Sequence, residues 1–471
     1  MIIQQPMASH PSGQRSRILL FVVPALCFAV AVWLRPAGRL GPPERAEWID
    51  QLLYDDRDFA AYALRGMNHF LGRHAGRVEA PERQYEDYAD SLHETRPLLD
   101  SYYLEYPHAA LMLFHLPYLF STVSENAPAS LLDGAHEDLV FHTPGIEEAG
   151  LWEHFHRIVT SYMFMMLAFH AALVIALAAG YLPGGGLAYR GFLLLLPGAL
   201  FFSLNRFDIV PVLFTALSFA CMGRGRVVPS AMLLAAGALV KVYPIFLAPL
   251  FARYLMSAKN TRTAALWCFA FTSTLIAFLC PAMLAWGVNE VLAPYLVQLS
   301  RKHEGFTTYL YLIPHEDLRD TLAGNGPIGR IFRPGTLALV LGLMLWRPIS
   351  DLPDLLRRGA VVVIAFISLS VFYSPQWVLW LTPLLLPLAG RDRRLLMLLV
   401  ALDLLTWLQW PVACNLFAVC DPEDNYHLLR DVILTALAWP RLAVLGMILW
   451  NMIRPEGVRN PAPAAVTPAL A

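Results

Sequence analysis

Three ionisable residues, Arg206, Asp208 and Lys241, lie at the ends of apolar segments that are too short to cross a bilayer comfortably. The segment before Arg206, residues 191–204, would form a helix of about 21 Å, against a hydrocarbon core of about 30 Å. The charges are therefore expected at or below the membrane surface. Ionisable groups at that depth are costly unless they pair or line a wet cavity, so they indicate a functional site.

The chemistry of these three residues favours a phosphate-bearing ligand, since Arg and Lys are the residues that bind phosphate oxygens. On this interpretation Arg206 and Lys241 hold a diphosphate or phosphodiester head group, and Asp208 orients one of the two cations. The alternative is a structural ion pair between Asp208 and Arg206 or Lys241 that joins adjacent helices. Three nearby prolines are typical of short or broken helices that line a cavity: Pro211, Pro244 and Pro249.

A second acidic group follows the first apolar segment of the chain, where Asp58 stands close to Asp55 and Asp56. In a helix over residues 55–71, Asp58 and Tyr62 share a face at i, i+4. A partly desolvated carboxylate near a membrane could serve there as a general base. The alternative is that the acidic residues complement the dipole at a helix N-terminus.

Two further segments on the same predicted side of the membrane contain candidate residues. Arg301 and His303 stand in QLSRKHEGF, where they either anchor the chain at the lipid boundary or contact phosphate and transfer protons. Gln376 stands in SPQWVLW beside Trp377 and Trp380. The two tryptophans could form an interfacial belt or a stacking surface for a sugar.

The elements that must position these residues are membrane helices. The 471 residues are 57% hydrophobic and 15% charged with a mean hydropathy of +0.50, which predicts an all-α polytopic membrane protein and excludes a soluble globular one. The net charge of -1 gives no indication of nucleic-acid binding. Twelve full or half-length spans are predicted, at residues 18–34, 158–179, 191–205, 209–222, 229–241, 244–257, 263–285, 334–348, 359–372, 377–390, 395–411 and 432–453.

The basic residues between these spans predict the topology, because arginine and lysine are enriched in cytoplasmic loops. Residues 1–17 form a cytoplasmic N-terminus, residues 18–34 a first transmembrane helix, and residues 35–157 a long extracytoplasmic loop with a shallow helix. Residues 158–453 form a multi-helix transmembrane domain and residues 454–471 a cytoplasmic tail. Cys414 and Cys420 flank a predicted external loop, and the sequence leaves open whether they form a disulfide.

Several soluble enzyme classes are excluded by motifs that the sequence lacks. It has no Gly-rich phosphate loop after a strand, no nucleophile elbow and no metal-spaced Cys/His cluster. A nucleotide-sugar enzyme with a Rossmann fold is therefore not expected. The sequence requires no cofactor, and it leaves open a divalent metal ion.

Five motifs in order, RDFAAY, YLEYPHAAL, NRFDIVPVLFTALSFACMGRGR, ALVKVYPIFLAPLFARYL and FYSPQWVLWLTPLLLP, resemble the GT-C superfamily of membrane glycosyltransferases. These enzymes use polyprenyl-phosphate sugars. The branch that the chain resembles is glycosyltransferase family 87, the polyprenol-phosphate-mannose-dependent alpha-mannosyltransferases. The likeness extends over nearly the whole chain, and the R-x-D and K-x-Y-P elements are its most specific part.

The resemblance implies an inverting transfer of a hexose, with mannose favoured, from a polyprenyl-phosphate donor to a glycolipid or glycan acceptor. It implies a multi-pass protein of the cell (inner) membrane, surrounded by membrane lipids, with both termini cytoplasmic and an extracytoplasmic active site. Asp58 would be the catalytic base, and the embedded motif positions correspond to four residues: Arg206, Asp208, Lys241 and Tyr243. The long first loop departs from the family pattern and leaves the acceptor open.

Two other functions are compatible with the same residues. A secondary transporter or lipid flippase would use the embedded Arg, Asp and Lys as an ion-coupled path, although the chain lacks matching halves. An oligosaccharide ligase with a diphosphate-linked donor would share the membrane architecture and the basic site.

Overall fold

The fold is given by a computed structural model, which describes residues 107, 109–110, 112–113, 116, 152–178, 191–288, 291–292, 294–295, 315, 318, 321–322, 327–370, 373–390, 392–413 and 426–454. This part of the chain is all-helical, without strands, as the sequence predicts. The first predicted span at 18–34, Asp58, Arg301, His303, Cys414 and Cys420 lie outside the described residues.

The α-helices are α1 (Trp152–Ala178), α2 (Pro197–Asn205), α3 (Ile209–Gly223), α4 (Val227–Val240), α5 (Ala248–Ala258), α6 (Thr261–Trp286), α7 (Pro327–Trp346), α8 (Leu352–Leu369), α9 (Thr382–Ala389), α10 (Arg393–Trp407) and α11 (Tyr426–Ile453). Tighter 3₁₀ turns at Gly191–Leu195, Tyr243–Leu247 and Pro375–Leu381 precede α2, α5 and α9, and a π-helical segment at Leu408–Ala413 follows α10.

Two of the described helices are long and apolar enough to cross a membrane, over Thr261–Leu284 in α6 and Ala436–Ile453 in α11. The pair α2 and α3 passes the same test together, but it is bent by 107° at a short break, as in a broken span or a re-entrant loop. The described residues therefore contain up to three candidate spans, and the total of twelve stays a prediction.

Large apolar side chains on the outside of the bundle are typical of helices that face lipid. In α6 Phe269 is 71% exposed and Leu284 is 88% exposed, and Trp346 at the end of α7 is 83% exposed. Surfaces of this kind are costly in water and are matched by the hydrocarbon of a bilayer. Membrane association of these helices follows from their length and their exposed faces.

Helix α3 lies at the centre of the described bundle, where it packs against α1, α4 and α9. Eleven of its residues are buried, so neighbouring elements cover most of its surface. Its connection to α4 is a short turn in which Gly225 adopts a positive φ of 72°, a conformation that glycine reaches without strain. The α3–α4 hairpin is the scaffold of the site described below.

Two contacts between the hairpin helices fix how closely they approach. The hydroxyl of Ser218 donates to the carbonyl of Ser230 at 2.8 Å. Farther along, a Cβ added to Gly237 would lie 3.3 Å from Phe214 Cβ and 3.4 Å from the Pro211 carbonyl oxygen. The glycine therefore lets the two backbones pack closely near the open ends of the hairpin.

The predicted start of α7 is wrong by seven residues. The sequence predicts a span at 334–348, whereas the helix begins at Pro327 and contains Pro334. Proline removes a backbone donor inside a helix. Arg333 directly precedes this proline, and its Nε donates to the carbonyl of Gly329, one turn earlier in α7, at 3.3 Å. This side-chain hydrogen bond lies beside the point where the proline interrupts the backbone hydrogen bonds of the helix.

The predicted start of α8 at residue 359 is also too late, because a capping signal was overlooked. The helix begins at Leu352, where the Asp351 side chain accepts a hydrogen bond from the Asp354 backbone N–H at 2.8 Å. A proline in the first turn, Pro353, is typical of a helix start. Arg357 and Arg358 therefore lie inside α8.

The arginine Arg358 has a structural role that charge counting does not predict. Its Nη1 donates to the carbonyls of Met344 and Arg347 at 2.5 and 2.8 Å, and its Nη2 donates to the carbonyl of Pro348 at 2.9 Å. These carbonyls lie at the C-terminal end of α7, where the last backbone acceptors have no donor within the helix. Arg358 therefore caps this helix end. Asp354 holds the guanidinium in place at 2.8 Å.

Candidate functional site

The break between α2 and α3 consists of three residues, Arg206, Phe207 and Asp208. Arg206 is extended (φ −133°, ψ 138°) and its backbone N–H donates to the Phe202 carbonyl at 3.1 Å, which ends α2. Asp208 occupies the N-cap position of α3. The 107° bend therefore brings a carboxylate to the positive end of a central helix, where a negative charge is stabilised.

The Asp208 carboxylate is fully buried and accepts one hydrogen bond on each oxygen. Lys241 Nζ lies 3.3 Å from Oδ2, and Trp380 Nε1 donates to Oδ1 at 2.7 Å. A buried carboxylate is costly unless it is paired and hydrogen-bonded. The lysine supplies the opposite charge, and the indole N–H, which can only donate, fixes the direction of the second oxygen.

The hairpin explains why Asp208 and Lys241 meet although 33 residues separate them. Asp208 precedes the turn residue Gly225 by seventeen residues and Lys241 follows it by sixteen, so both lie at the same level of two antiparallel helices. Lys241 is the C-cap residue of α4, and its backbone N–H donates to the Gly237 carbonyl at 3.0 Å. A cation at this helix end and an anion at the start of α3 both complement the helix dipoles.

Lys241 is the partly exposed member of the pair, with 18% of its side chain accessible. Its Nζ lies 4.4 Å from the ring centroid of Phe207 and 5.9 Å from that of Trp380, distances at which a cation is attracted by an aromatic face. An ammonium group has three N–H donors, and the bond to Asp208 uses one of them. The arrangement can present an oriented cation to an anionic ligand.

Tyr243 supports this pair from a fully buried position. Its hydroxyl lies 3.1 Å from the hydroxyl of Thr215, which itself donates to the Pro211 carbonyl at 2.8 Å. The single hydroxyl hydrogen of Thr215 is used in that bond, so Tyr243 is the donor to Thr215. The Tyr243 ring stacks on Trp380 with centroids 4.5 Å apart and 9° between the planes. Its geometry is that of a residue that positions Trp380.

Trp377 and Trp380 stack on each other within one 3₁₀ turn, with centroids 4.7 Å apart. Side chains three residues apart eclipse in a 3₁₀-helix, which brings the two indoles together. Both are buried, so neither lies in an exposed interfacial belt. The hydrogen bond from Trp380 to Asp208 was missed in the sequence, and the available signal was that a buried indole N–H needs an acceptor.

The other predicted site residues divide into two groups. Arg206 is half-buried at the same break as Asp208, and Gln376 is buried in the same 3₁₀ turn as Trp380. Asp58, Arg301 and His303 lie outside the described residues. Among the described residues no group of three or more His, Cys, Asp or Glu could hold a metal ion.

Two buried ionisable residues within predicted apolar spans were also missed, Asp403 in α10 and Arg441 in α11. Asp403 accepts from the backbone N–H groups of Gly198 and Ala199 at 3.0 and 2.6 Å, so it caps the N-terminus of α2 from about 200 residues away. The sequence signal for both was the position of an ionisable residue inside an apolar segment.

Comparison with known proteins adds no family assignment to this geometry. Neither the scan against protein-family models nor the search of curated proteins finds a match to this chain. The resemblance to the GT-C superfamily consequently rests on the sequence motifs alone.

Proposed function

We propose that this chain is a membrane glycosyltransferase that transfers a hexose, with mannose favoured, from a polyprenyl-phosphate carrier to an extracytoplasmic glycolipid or glycan acceptor. The observation that carries the proposal is the partly exposed Lys241 ammonium, held by the fully buried Asp208 at the ends of two short apolar helices. A lipid-linked phosphate is an anion that reaches this depth in a membrane.

The lengths of the hairpin helices support a site below the membrane surface. Helix α3 has 15 residues and α4 has 14, which gives each about 21–22 Å at about 1.5 Å per residue. With the Gly225 turn at the cytoplasmic surface, the pair lies short of the opposite surface of a core of about 30 Å. A polyprenyl-linked phosphate can approach such a site from the membrane, because its carrier chain lies in the hydrocarbon, and Arg206 lies at the same break.

The chemistry divides between the two ends of the sugar. The bond between the anomeric carbon and the carrier phosphate oxygen breaks, and the electron pair leaves with the phosphate, whose charge Lys241 and Arg206 would stabilise. The acceptor hydroxyl forms the new bond to the anomeric carbon and loses its proton to a base, the role proposed for Asp58. Asp208 has the role of orienting Lys241 and not that of the base, because both of its carboxylate oxygens already accept hydrogen bonds.

The decisive experiment is a transfer assay with purified protein in liposomes. A short-chain polyprenyl-phosphate mannose is the donor, and no ion gradient is applied. Transfer or hydrolysis of the sugar supports the proposal, and Lys241→Ala should weaken donor binding by about 1.5–3 kcal/mol, the range for a hydrogen bond to a charged group. Lys259→Ala is the matched control, because Lys259 is exposed at the end of α5. A wild-type protein that leaves the donor intact contradicts the proposal.

Lysine acylation provides a second test that needs no turnover. The chain contains only three lysines, Lys241, Lys259 and Lys302, so mass spectrometry can follow each one separately. A short-chain polyprenyl phosphate should protect Lys241 and leave Lys259 unchanged, whereas the corresponding polyprenol without phosphate should protect neither. Equal protection by inorganic phosphate alone would identify the ligand as a free anion and not a lipid carrier.

A secondary transporter is a second candidate, favoured by the 107° bend between α2 and α3. Broken helices with charged residues at the break form the substrate sites of many transporters. Uptake of a solute into liposomes that depends on a proton or sodium gradient, without chemical change of a donor, would support that function. Use of a diphosphate-linked donor in the same liposomes would instead indicate an oligosaccharide ligase.

A further inference from the structure

We propose that Arg441 is a positioning residue for the Asp208–Lys241 pair, although it lies in the last helix of the chain. Arg441 is 1% exposed and stands within the apolar segment Ala436–Ile453 of α11. A cation at such a place is costly and indicates a functional constraint. The inference rests on the proposed function only for its effect on donor binding, and its main test needs no donor.

The contacts of Arg441 hold one particular ring. Its guanidinium Cζ lies 3.6 Å from the ring centroid of Tyr373, which is a cation–π contact, and its Nη1 donates to Gln409 Oε1. Gln409 belongs to the π-helical segment Leu408–Ala413, where Trp410 has non-helical dihedral angles (φ −147°, ψ 122°). The kink supplies the acceptor that orients the guanidinium over Tyr373.

From Tyr373 the contacts lead to the site through aromatic rings alone. Tyr373 packs edge-on against Trp377, with centroids 6.4 Å apart and 68° between the planes. Trp377 stacks on Trp380, and Trp380 Nε1 donates to Asp208. Each of the three rings is at least nine-tenths buried. Because packed interiors have few voids, a displacement of Tyr373 has to be taken up by the next ring.

The choice of arginine is informative, because buried ion pairs can often be replaced by apolar residues of similar volume without loss of stability, so stability alone does not call for a buried cation. Neither an apolar residue nor a lysine has a planar cationic group that can stack on an aromatic ring and donate N–H hydrogen bonds in its own plane. We therefore expect Arg441 to set the position of Tyr373, and through Trp377 the direction of the Trp380 N–H. Without that bond Asp208 is less firmly oriented, and Lys241 is released more often.

The test is the rate of acylation of Lys241 in the protein without ligand, since the amine reacts when it has left Asp208 and faces solvent. Arg441→Met should raise that rate by roughly fivefold to tenfold, the scale of one ordinary net hydrogen bond, because the N–H bond of Trp380 is weakened and not removed. Arg441→Lys should give most of the same increase. The exposed Lys259 in the same sample should react at its wild-type rate in each variant and serves as the internal control.

Two variants at Tyr373 test the same contacts if the Arg441 variants fold poorly. Tyr373→Phe retains the ring and should leave the Lys241 rate near that of the wild type, whereas Tyr373→Leu removes it and should raise the rate. Arg358→Met removes the arginine of α8 that donates to the carbonyls at the end of α7, so it should lower the melting temperature without changing the Lys241 rate. An increase at Lys241 in Arg358→Met equal to that in Arg441→Met would show a general loosening and overturn the proposal.

The route through Trp380 is tested by a double variant. In a Trp380→Phe background, which already lacks the N–H bond to Asp208, Arg441→Met should add little to the Lys241 rate, whereas independent effects would multiply. Multiplying effects would overturn the proposed route. In the transfer assay, Arg441→Met should raise KM for the polyprenyl-phosphate donor more than it lowers kcat. If the wild type shows no transfer, the labelling results still decide the role of Arg441, so the two proposals fail separately.

Discussion

The burial of Asp208 decides how the site responds when its lysine is lost. Lys241→Ala leaves a carboxylate without its opposite charge in a fully buried position. Removal of one member of a buried pair costs about 3–5 kcal/mol, and we expect about 2 kcal/mol here, because Lys241 is 18% exposed and Trp380 still donates. Thermal melting in detergent without ligand measures this loss.

The control for this prediction separates the stranded charge from lost packing. Lys241→Ala combined with Asp208→Asn should recover a large part of the stability, because the remaining buried group is neutral. Lys259→Ala should melt like the wild type. A single Lys241→Ala variant that melts at the wild-type temperature would show that the pair contributes nothing to folding, and that Lys241 acts through bound ligand alone.

Trp380 and Trp377 allow a matched comparison of two stacked indoles. Trp380→Phe removes the 2.7 Å bond to Asp208 and keeps an aromatic ring in the stack, so we expect a loss of about 1.5–3 kcal/mol, the range for a bond to a charged group. Trp377→Phe removes the same volume without that bond and should cost less. Equal melting temperatures for the two variants would contradict the role assigned to Trp380.

At the scale of helices, the start of α2 depends on a residue from α10. A Cβ added to Gly198 would lie 2.8 Å from the Asp403 carbonyl oxygen and 2.9 Å from its Oδ1, closer than real Cβ atoms come. Gly198→Ala should therefore destabilise the protein by about 1–3 kcal/mol, the usual cost of overpacking. Denaturant titration of the purified protein would measure it.

Gly342 in α7 provides the control, because a Cβ added there would have no atom within 4 Å. Gly342→Ala should be neutral or stabilise the helix by up to about 1 kcal/mol, since alanine has the higher helix propensity. A Gly198→Ala variant as stable as Gly342→Ala would contradict the close approach of α2 and α10. The break at Arg206 follows directly from α2, so a shift of this helix would also reach Asp208.

For the whole molecule, the exposed cysteines of α6 report on the environment of the bundle. Cys268 and Cys280 are exposed and free, and they lie in a helix that is long and apolar enough to span a membrane. Nitroxide labels at these positions should collide more with oxygen, which enters hydrocarbon, than with a water-soluble nickel chelate. A label at Lys259→Cys, beyond the predicted end of the hydrocarbon, should show the opposite preference. Water-like accessibility at Cys268 would contradict a lipid-facing α6.

The sequence predicted the helical class and a shared site for Arg206, Asp208 and Lys241, and it left open which of the two cations pairs with Asp208. Apolar runs and basic turns indicate helices, and charges at the ends of short runs indicate a shared site. It could not predict that Trp380 would bond Asp208 from 172 residues away, since such a partner depends on how distant helices pack. The two helix caps show the same division. The cap at Asp351 was visible in the local sequence and overlooked. For Asp403 the sequence showed only an ionisable residue inside an apolar segment, and not the helix that it caps.

The α3–α4 hairpin also restricts which insertions the chain can accept. The positions of Asp208 and Lys241 depend on the number of helical residues between each of them and the turn at Gly225. One extra residue in either helix would rotate its end by about 100° and shift it by about 1.5 Å. The carboxylate and the ammonium would then face different sides of the bundle. The exposed turn at residues 224–226 has no such limit. We therefore expect the protein to accept insertions in the turn at residues 224–226. An insertion within α3 or α4 would separate Asp208 from Lys241.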